Sequence, residues 1–438
     1  MQVVTTPSSD AADSLSKAVT SFIYRQPDTT HHLHKALEHD PQFALAHAVS
    51  GLMLFGARSV SLTSLAHDAL LKAQQHKGGV NQRESLYIEA LELVLSGQLK
   101  AAVNRYETIL ETHPTDALAL ALAQSELFWL GDMQWSERIS ASVEKYWTPD
   151  VPGYTAYLAI RAFDLEELNQ FKDAERVARE SVELDPGNIW GTHAIAHIML
   201  MQNRIDEGSA WMRERQHLWT SANQMQFHLA WHQCLFLLEQ NVQDEILDIY
   251  DNRVRNREHA LCEALPDLYI DIQNGASLLW RLERCGVNVG NRWEELAEVM
   301  TPRIDDMSNP FTSAHTALVL TATGQHDDCQ SLLDSMRSFS QDASHDLASR
   351  YADAAIPCVQ AVMAHSRDDH AAVVGHLAPA RSALWQMGGS HAQQDVFHQL
   401  LADSARKLGD EKLLASLLDE IEKIGFTAPL GRAGYQHG

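Results

Sequence analysis

The sequence predicts an all-α protein, a solenoid of stacked helix-turn-helix repeats. Apolar residues recur with helical spacing, about every three to four positions, along nearly all of the 438 residues. The alternating Val, Ile and Thr pattern that is typical of half-buried strands is scarce. Two segments, 83–114 and 155–186, share one pattern of helical pairs, and such pairs bury their apolar faces by stacking on their neighbours.

The first of these repeats, RESLYIEALELVLSGQLKAAVNRYETILETHP, begins at residue 83 and predicts two helices joined at Gly97. Ala90 lies on the expected inner face of the first helix, Tyr106 on the apolar face of the second, and Pro114 ends the unit. Alanine at the helix crossing allows close approach of the backbones, and glycine accepts the left-handed conformation of the turn. This arrangement is typical of tetratricopeptide repeats.

The second repeat, TAYLAIRAFDLEELNQFKDAERVARESVELDP, has the same register from residue 155, with Ala162, Asn169, Ala178 and Pro186 in the corresponding places. Weaker copies follow the same rule, and we expect the last of them to cap the C-terminal end; they lie at 40–51, 116–139, 316–333, 361–377 and 395–421. Because 252–308 breaks the period, we divide one continuous superhelix into an N-terminal solenoid (1–251), an irregular helical connection (252–308) and C-terminal repeats (309–438).

Composition limits the classes of partner. A formal charge of -24 argues against binding to nucleic acid or to an anionic membrane surface, because both need clustered Lys and Arg. The five cysteines are widely spaced, and the N-terminus lacks the features of a signal peptide. No apolar run reaches the roughly 20 residues of a membrane span. We therefore predict a cytoplasmic protein, and its composition is compatible with a homo-oligomer.

Two pairs of histidines carry the strongest functional signal. A repeat that starts at Ile189 places His193 and His197 at its fifth and ninth positions, which face the concave groove in this repeat class. The next unit places His228 and His232 at the same two positions. Side chains four residues apart on a helix are about 5–6 Å apart, and packed helices are about 8–10 Å apart. The four imidazoles are therefore expected to converge.

Carboxylates border these histidines. Glu166 and Glu167 end the preceding inner helix, and a mixture of imidazole and carboxylate suits a divalent metal, for which we consider zinc, iron or manganese. It also suits acid–base chemistry, with Glu166 or Glu167 as base and His232 as acid. The alternative is that the histidines are core residues, each with one hydrogen bond. No H-E-x-x-H motif selects a particular metal.

Aromatic residues near the histidine pairs suggest the walls of a pocket. We name Phe163, Trp190 and Trp231 as candidate ligand-binding residues, together with His47, which falls one position short of the groove register. Packing is the alternative function of all four residues. Ser390 lies in a local run of Ser, His and Asp, which we interpret as a turn and helix cap because triad residues must converge in space.

The chain resembles the tetratricopeptide repeat protein 38 family over residues 40–400. The phrases that carry the resemblance include DPQFALAHAVSG, RESLYIEAL, AFDLEELNQFKDAE, DPGNIWGTHAIAHIMLMQNRIDEG, HLAWHQCLFLLEQNVQDEILDIYD, GASLLWRLERCGVNVGNRW and GGSHAQQDVF. The resemblance implies an α-solenoid with His193, His197, His228 and His232 at family motif positions. It implies no particular reaction.

Two functions remain open from the sequence. In the first, the groove binds a small polar ligand with a divalent metal and catalyses metal-assisted hydrolysis or a lyase reaction. In the second, the protein is an adaptor that holds a protein or peptide partner in the groove. Capture of a peptide carboxylate needs Lys, Arg and Asn on the groove face, whereas the groove positions here carry His, Phe and Glu. This difference favours the first function.

Overall fold

The structure is a computed structural model that describes residues 4–436, and these residues form helices and connecting turns without a strand. The predicted all-α solenoid of tetratricopeptide-like helix-turn-helix repeats is confirmed. None of the helices in the described part is long and apolar enough to cross a membrane. The five cysteines are free thiols.

The N-terminal helices follow each other as pairs. Their bounds are α1 Ser9–Ile23, α2 Thr29–His39, α3 Ala44–Gly56, α4 Val60–Gln75, α5 Gln82–Leu95, α6 Leu99–Thr112, α7 Ala117–Leu130, α8 Met133–Val143, α9 Tyr154–Glu167, α10 Phe171–Leu184, α11 Ile189–Met201, α12 Ile205–Trp219 and α13 Met225–Glu239.

The helices after residue 240 are less regular, and two of them contain a π-helical turn, at 250–254 and at 351–355. Their bounds are α14 Ile246–Ile249, α15 Ala260–Ala264, α16 Tyr269–Arg284, α17 Arg292–Met300, α18 Pro310–Ala322, α19 His326–Phe339, α20 Ala348–Arg350, α21 Ile356–His365, α22 His370–Ala380, α23 His391–Lys407, α24 Glu411–Lys423 and α25 Ala433–Gln436.

The two clearest repeats have the predicted geometry. Helices α5 and α6 meet at Gly97, and α9 and α10 meet at Asn169; both turn residues have a left-handed φ, 76° and 61°. Ala102 and Tyr106 of α6 are completely buried, as are Ala162 of α9 and Ala178 of α10. Small side chains at the crossings let consecutive helices pack closely, and this packing sets the spacing of the inner helices.

The next two repeats carry the histidine pairs on their first helices, α11 and α13. Both helices are followed by a left-handed asparagine, Asn203 and Asn241, each with φ of 57°. Helix α12 completes the first of these repeats, whereas the second continues as the short α14 and a π-helical turn. Gly275, in the stretch that breaks the period, lies inside the regular helix α16. A Cβ at Gly275 would lie 3.3 Å from Leu296 and from the Tyr250 hydroxyl, so this position favours glycine.

Helix α23 lies inside the superhelix. All residues from Ala392 to Ala405 are buried, which is the pattern of a helix enclosed on every side. Its first residue, His391, donates from Nε2 to the Glu167 carbonyl of α9 at 3.0 Å. Arg281 of α16 donates to the Ala392 carbonyl at 3.2 Å. The inner faces of the repeat helices therefore pack against a helix of the same chain.

Candidate metal centre

The four histidines named from the sequence form one cluster in the core. His193, His197, His228 and His232 have exposed fractions of 2%, 0%, 3% and 0%. They meet because α11 and α13 are neighbours, and each contributes two rings from one face. Asn188 starts α11 by accepting a hydrogen bond from the Gly191 amide at 3.0 Å, which fixes the register of that helix.

The rings approach each other through their Nε2 atoms. The Nε2 atom of His193 lies 3.0 Å from that of His197, 3.1 Å from that of His228 and 3.2 Å from that of His232. The Nε2 atoms of His228 and His232 are also 3.2 Å apart. The sequence-based expectation of convergence is therefore confirmed by the geometry.

Hydrogen bonding does not explain this arrangement. A neutral imidazole nitrogen carries either one proton or one lone pair, but His193 Nε2 has three nitrogen neighbours within 3.2 Å. In a tetrahedral site with bonds of about 2.0–2.1 Å, the ligand nitrogens are about 3.3 Å apart. The four Nε2–Nε2 distances of 3.0–3.2 Å lie close to this value, and ligand nitrogens of all four residues lie within 4.8 Å of one another, so the cluster could hold a metal ion.

The outer ring nitrogens show how the imidazoles are oriented. His228 Nδ1 donates to Asn274 Oδ1 at 2.9 Å, so its Nε2 lone pair faces the centre of the cluster. His197 Nδ1 lies 3.5 Å from Glu166 Oε2 and 3.8 Å from Glu167 Oε1. Carbonyl and carboxylate groups behind a histidine are the usual partners of a metal-bound imidazole. The Nδ1 atoms of His193 and His232 have no hydrogen-bond partner.

Burial keeps the four imidazoles neutral. It lowers the pKa of His197 and that of His228 to about 3. Burial, with further contributions from the neighbouring histidines, lowers the pKa of His193 and of His232 well below the usual value. A metal ligand must be the neutral imidazole, so no proton has to be removed from the cluster at neutral pH.

The two predicted carboxylates are buried beside His197 at the C-terminal end of α9. Burial raises the pKa of Glu166 to about 8, and burial together with the charge of Glu166 raises the pKa of Glu167 well above its usual range. Both oxygens of Glu166 and one of Glu167 lack a hydrogen-bond partner. Two buried acids side by side are costly in their charged form.

The three aromatic residues named from the sequence surround the cluster. The Phe163 and Trp190 rings lie 5.5 Å and 4.7 Å from the His193 ring, between centroids. Trp231 stacks on His228 at 5.2 Å and donates from Nε1 to the Ser277 hydroxyl at 3.1 Å. These side chains keep the surroundings of the cluster apolar.

Other residues named from the sequence lie elsewhere. His47 bonds through Nε2 to the Pro41 carbonyl at 2.9 Å and stacks on His76, so the structure does not bring it to the four-histidine cluster. Ser390 caps α23 through a capping box with Gln393. The interpretation of that serine as a helix cap is confirmed.

Sequence reasoning missed three residues around the centre. Asn274 orients His228 from α16, which lies in the stretch without a repeat pattern. His391 contacts Glu167 from a helix more than 200 residues later in the chain. Arg25 lies over the Trp190 ring, 4.6 Å from its centroid. No local sequence signal links any of the three to the histidine pairs.

No family model matches the chain. Among solved structures, a monomeric mutant of IFIT1 with Gppp-AAAA aligns with 13% identity and a TM-score of 0.37, covering 95% of this chain and 96% of that one. A structure of Naa15/Naa10 bound to HypK-THB aligns with 11% identity and a TM-score of 0.26, covering 96% of this chain and 64% of that one. At these TM-scores neither alignment supports a functional conclusion. The fold and the cluster define a helical repeat protein with a buried histidine centre.

Proposed function

We propose that the protein is a metalloprotein in which His193, His197, His228 and His232 bind one divalent ion. The observation that supports this proposal is the convergence of four neutral, buried imidazoles whose ligand nitrogens lie within 4.8 Å of one another, with four of the Nε2–Nε2 distances at 3.0–3.2 Å. An ion at the centre would join α11 and α13 through four bonds and so connect two consecutive repeats. Metal binding of this kind adds directly to folding stability.

Zinc is the first candidate for the ion. Zinc favours four-coordinate tetrahedral sites and accepts imidazole ligands, whereas manganese prefers oxygen ligands. Iron also accepts imidazole, so it ranks second. Four neutral imidazoles leave the positive charge of the ion uncompensated. Glu166 and Glu167 lie behind His197, and a bound ion would favour their charged forms, which would then reduce that cost.

The four-histidine cluster favours a structural metal ion over a catalytic one. A catalytic zinc keeps one coordination position open for water or substrate, whereas four histidines fill a tetrahedral shell. Hydrolysis or a lyase reaction, with Glu166 or Glu167 as base, therefore needs a fifth coordination position on the ion. Alternatively, one imidazole such as His232 could leave the ion and serve as the acid. The adaptor function is disfavoured too, because α23 occupies the inner face that a peptide would use.

Elemental analysis tests the proposal. The protein is purified without a metal-affinity tag, and the metal content per chain is measured for wild type and for the His193→Ala/His228→Ala double variant. His315→Ala is the matched control, because His315 is also a buried histidine on an inner helix but bonds only to the Phe311 carbonyl. We expect about one ion per chain in wild type and control, and near-complete loss in the double variant.

Two results contradict the proposal. Wild type that contains no metal after growth with zinc, iron and manganese excludes a resident ion. Equal metal content in wild type and double variant places the ion elsewhere in the molecule. In either case the four histidines would be a buried polar cluster without a ligand.

A further inference from the structure

Arg25 adopts a backbone conformation that favours glycine. It follows helix α1 with φ of 58°, and the Gln26 amide donates to the Ser21 carbonyl at 2.8 Å while the Arg25 amide donates to the Phe22 carbonyl at 3.1 Å. This pair of bonds is the Schellman motif, whose left-handed residue is usually glycine because a Cβ is strained there. An arginine at this position therefore suggests a role for its side chain.

Arg58 provides a comparison within the same chain. It also follows an inner-face helix, α3, with a left-handed φ of 47°. Its guanidinium forms an ion pair with Glu126 at 2.6 Å, and both side chains are buried. Arg58 is thus a structural arginine whose charge is compensated.

Arg25 has no such partner. Among the ion pairs of residues 4–436 none includes Arg25, and its Nε atom is buried without a hydrogen-bond partner. Burial lowers the pKa of its guanidinium, and no carboxylate opposes this effect. The protein has 24 more acidic than basic residues at neutral pH, yet none of the ion pairs of the described residues compensates the charge of this half-buried arginine. A buried polar group without a partner in a native fold requires an explanation such as a bound ion or ligand.

Arg25 lies near the histidine cluster, with the Trp190 ring between them. Its guanidinium carbon lies 4.6 Å from the Trp190 ring centroid, and the Trp190 ring lies 4.7 Å from the His193 ring and 4.9 Å from the Phe163 ring. The Nε1 atom of Trp190 is a second buried donor without a partner. Arg25 and Trp190 thus present two unpaired donors next to one wall of the metal centre, and both side chains are only partly buried.

We infer that Arg25 and Trp190 form an anion-binding subsite beside the histidine cluster, for a small molecule with a carboxylate or phosphate on a flat apolar body. The guanidinium fork matches the geometry of an oxyanion, and the aromatic rings match the flat body. The subsite stands on its own residues, whereas its use together with an ion rests on the proposed function. It would make the metal centre part of a ligand site with a defined charge preference.

Thermal unfolding with and without small probes tests this inference. Benzoate, inorganic phosphate and benzylamine are the probes, since they separate an aromatic carboxylate, a bare oxyanion and a cation of similar shape. A ligand that binds only the folded state raises the unfolding midpoint. For wild type we expect the midpoint to rise with benzoate, to rise with phosphate if the oxyanion alone suffices, and to stay unchanged with benzylamine.

Arg25→Gly is an informative variant because it removes the charge and relieves the backbone strain. We expect it to unfold at the same temperature as wild type or higher, with no response to benzoate. Arg25→Lys retains the charge and is expected to keep part of the response. Arg58→Gly has the same backbone change at the paired arginine, so it should unfold at a lower temperature because Glu126 is left buried without its partner.

Three results overturn the inference. The first is a wild type that responds to neither anion, and the second is a benzoate response that persists in Arg25→Gly. The third is an equal response to benzylamine, which would indicate apolar binding only. Repeating the series on the His193→Ala/His228→Ala variant separates the two proposals, because an Arg25-dependent response in a metal-free protein supports the subsite while the metal proposal fails.

Discussion

At the scale of single residues, the neighbouring polar atoms decide what each buried histidine does. His315 is 1% exposed, bonds through Nδ1 to the Phe311 carbonyl at 2.8 Å, and lies outside the four-histidine cluster. Its surroundings are aromatic, with the Phe311 and Phe397 rings 4.6 Å and 5.3 Å away. It therefore shows the behaviour of a packed histidine, which was the alternative for all histidines of the inner helices.

We expect His315 to lower the free energy of unfolding in acid, and His315→Phe to remove this contribution. Burial, the largest cause, lowers the pKa of His315 to about 4, with the Arg281 charge acting in the same direction. Between about pH 6.5 and pH 4 the unfolded chain binds a proton that the folded chain does not, so the free energy of unfolding falls as the pH falls. The contribution is about 3 kcal/mol. Urea unfolding at about pH 7 and pH 4.5 measures the loss, which should be smaller in His315→Phe. The same loss in both proteins would contradict this prediction.

The sequence predicted that the four histidines converge, but it did not predict the residues that orient them. The pairs could be placed because consecutive repeat units put them at the same two positions of neighbouring first helices; both helices indeed end before a left-handed asparagine, Asn203 and Asn241. Asn274 could not be placed, because its contact with His228 spans 46 residues and α16 lies outside the repeat pattern. Arg25 gave no signal either, since arginine is a common helix residue and its left-handed conformation is imposed by the surrounding fold.

At the scale of helices, small residues set how closely repeats approach. Gly208 of α12 faces α13, and a Cβ there would overlap the buried Phe236 ring. Gly208→Ala should therefore lower the free energy of unfolding by about 1–3 kcal/mol, because overpacking outweighs the gain in helix propensity. Gly375→Ala is the matched control, since Gly375 lies inside α22 with no atom within 4 Å of the added Cβ.

The control should gain stability, by about 0.5–1 kcal/mol, because alanine has the higher helix propensity and meets no neighbour. Urea unfolding midpoints of the two variants measure the difference. If both substitutions stabilise the protein, α12 and α13 are not packed as closely as the structure shows.

Helix caps also join repeats to one another. Asp116 starts α7 by accepting from the Ala119 amide at 3.2 Å, and it pairs with Arg83 of α5 at 2.5 Å. The Tyr87 hydroxyl donates to the same carboxylate at 2.9 Å. Asp116→Ala should cost about 3–5 kcal/mol of unfolding free energy, because it leaves the buried Arg83 unpaired in addition to removing the cap.

Asp132 allows the cap to be measured alone. It starts α8 by accepting from the Trp135 amide at 3.1 Å and lies partly exposed. Asp132→Ala should cost only about 1 kcal/mol. Chemical unfolding of both variants gives the two costs, and similar values would mean that the ion pair between Arg83 and Asp116 contributes nothing beyond the cap.

The element-scale prediction from sequence was accurate where the repeat pattern was strong. Helix pairs α5/α6 and α9/α10 were predicted with their turn residues Gly97 and Asn169, because a single residue with a left-handed φ separates two amphipathic segments. The interior position of α23 was not predicted. Its mixed polar and apolar sequence resembles a surface helix, and its polar side chains are buried only because other parts of the chain surround them.

At the scale of the whole molecule, the C-terminal part of the chain contacts the N-terminal repeats at several places. The Asp346 amide donates to the Gly97 carbonyl at 2.9 Å, and Arg350 donates to the Leu130 carbonyl at 3.0 Å. Arg432, near the C-terminal end, donates to the Leu200 carbonyl of α11 at 2.9 Å and pairs with Glu239 of α13 at 3.2 Å. Both histidine-bearing helices are thus held by the C-terminal segment, so the structure predicts one cooperative unit rather than independent repeats.

Removal of the proposed ion should therefore lower the stability of the entire molecule in one step. When the concentration of the free ion is 100 to 1,000 times its dissociation constant, binding adds about 3–4 kcal/mol to the free energy of unfolding. Calorimetry in a chelator should show a single transition at a lower temperature than in zinc, whereas His193→Ala/His228→Ala should unfold at one temperature in both buffers. A chelator effect confined to one of two separate transitions would show that the histidine repeats fold independently of α23. Such a result would contradict the single cooperative unit inferred from these contacts.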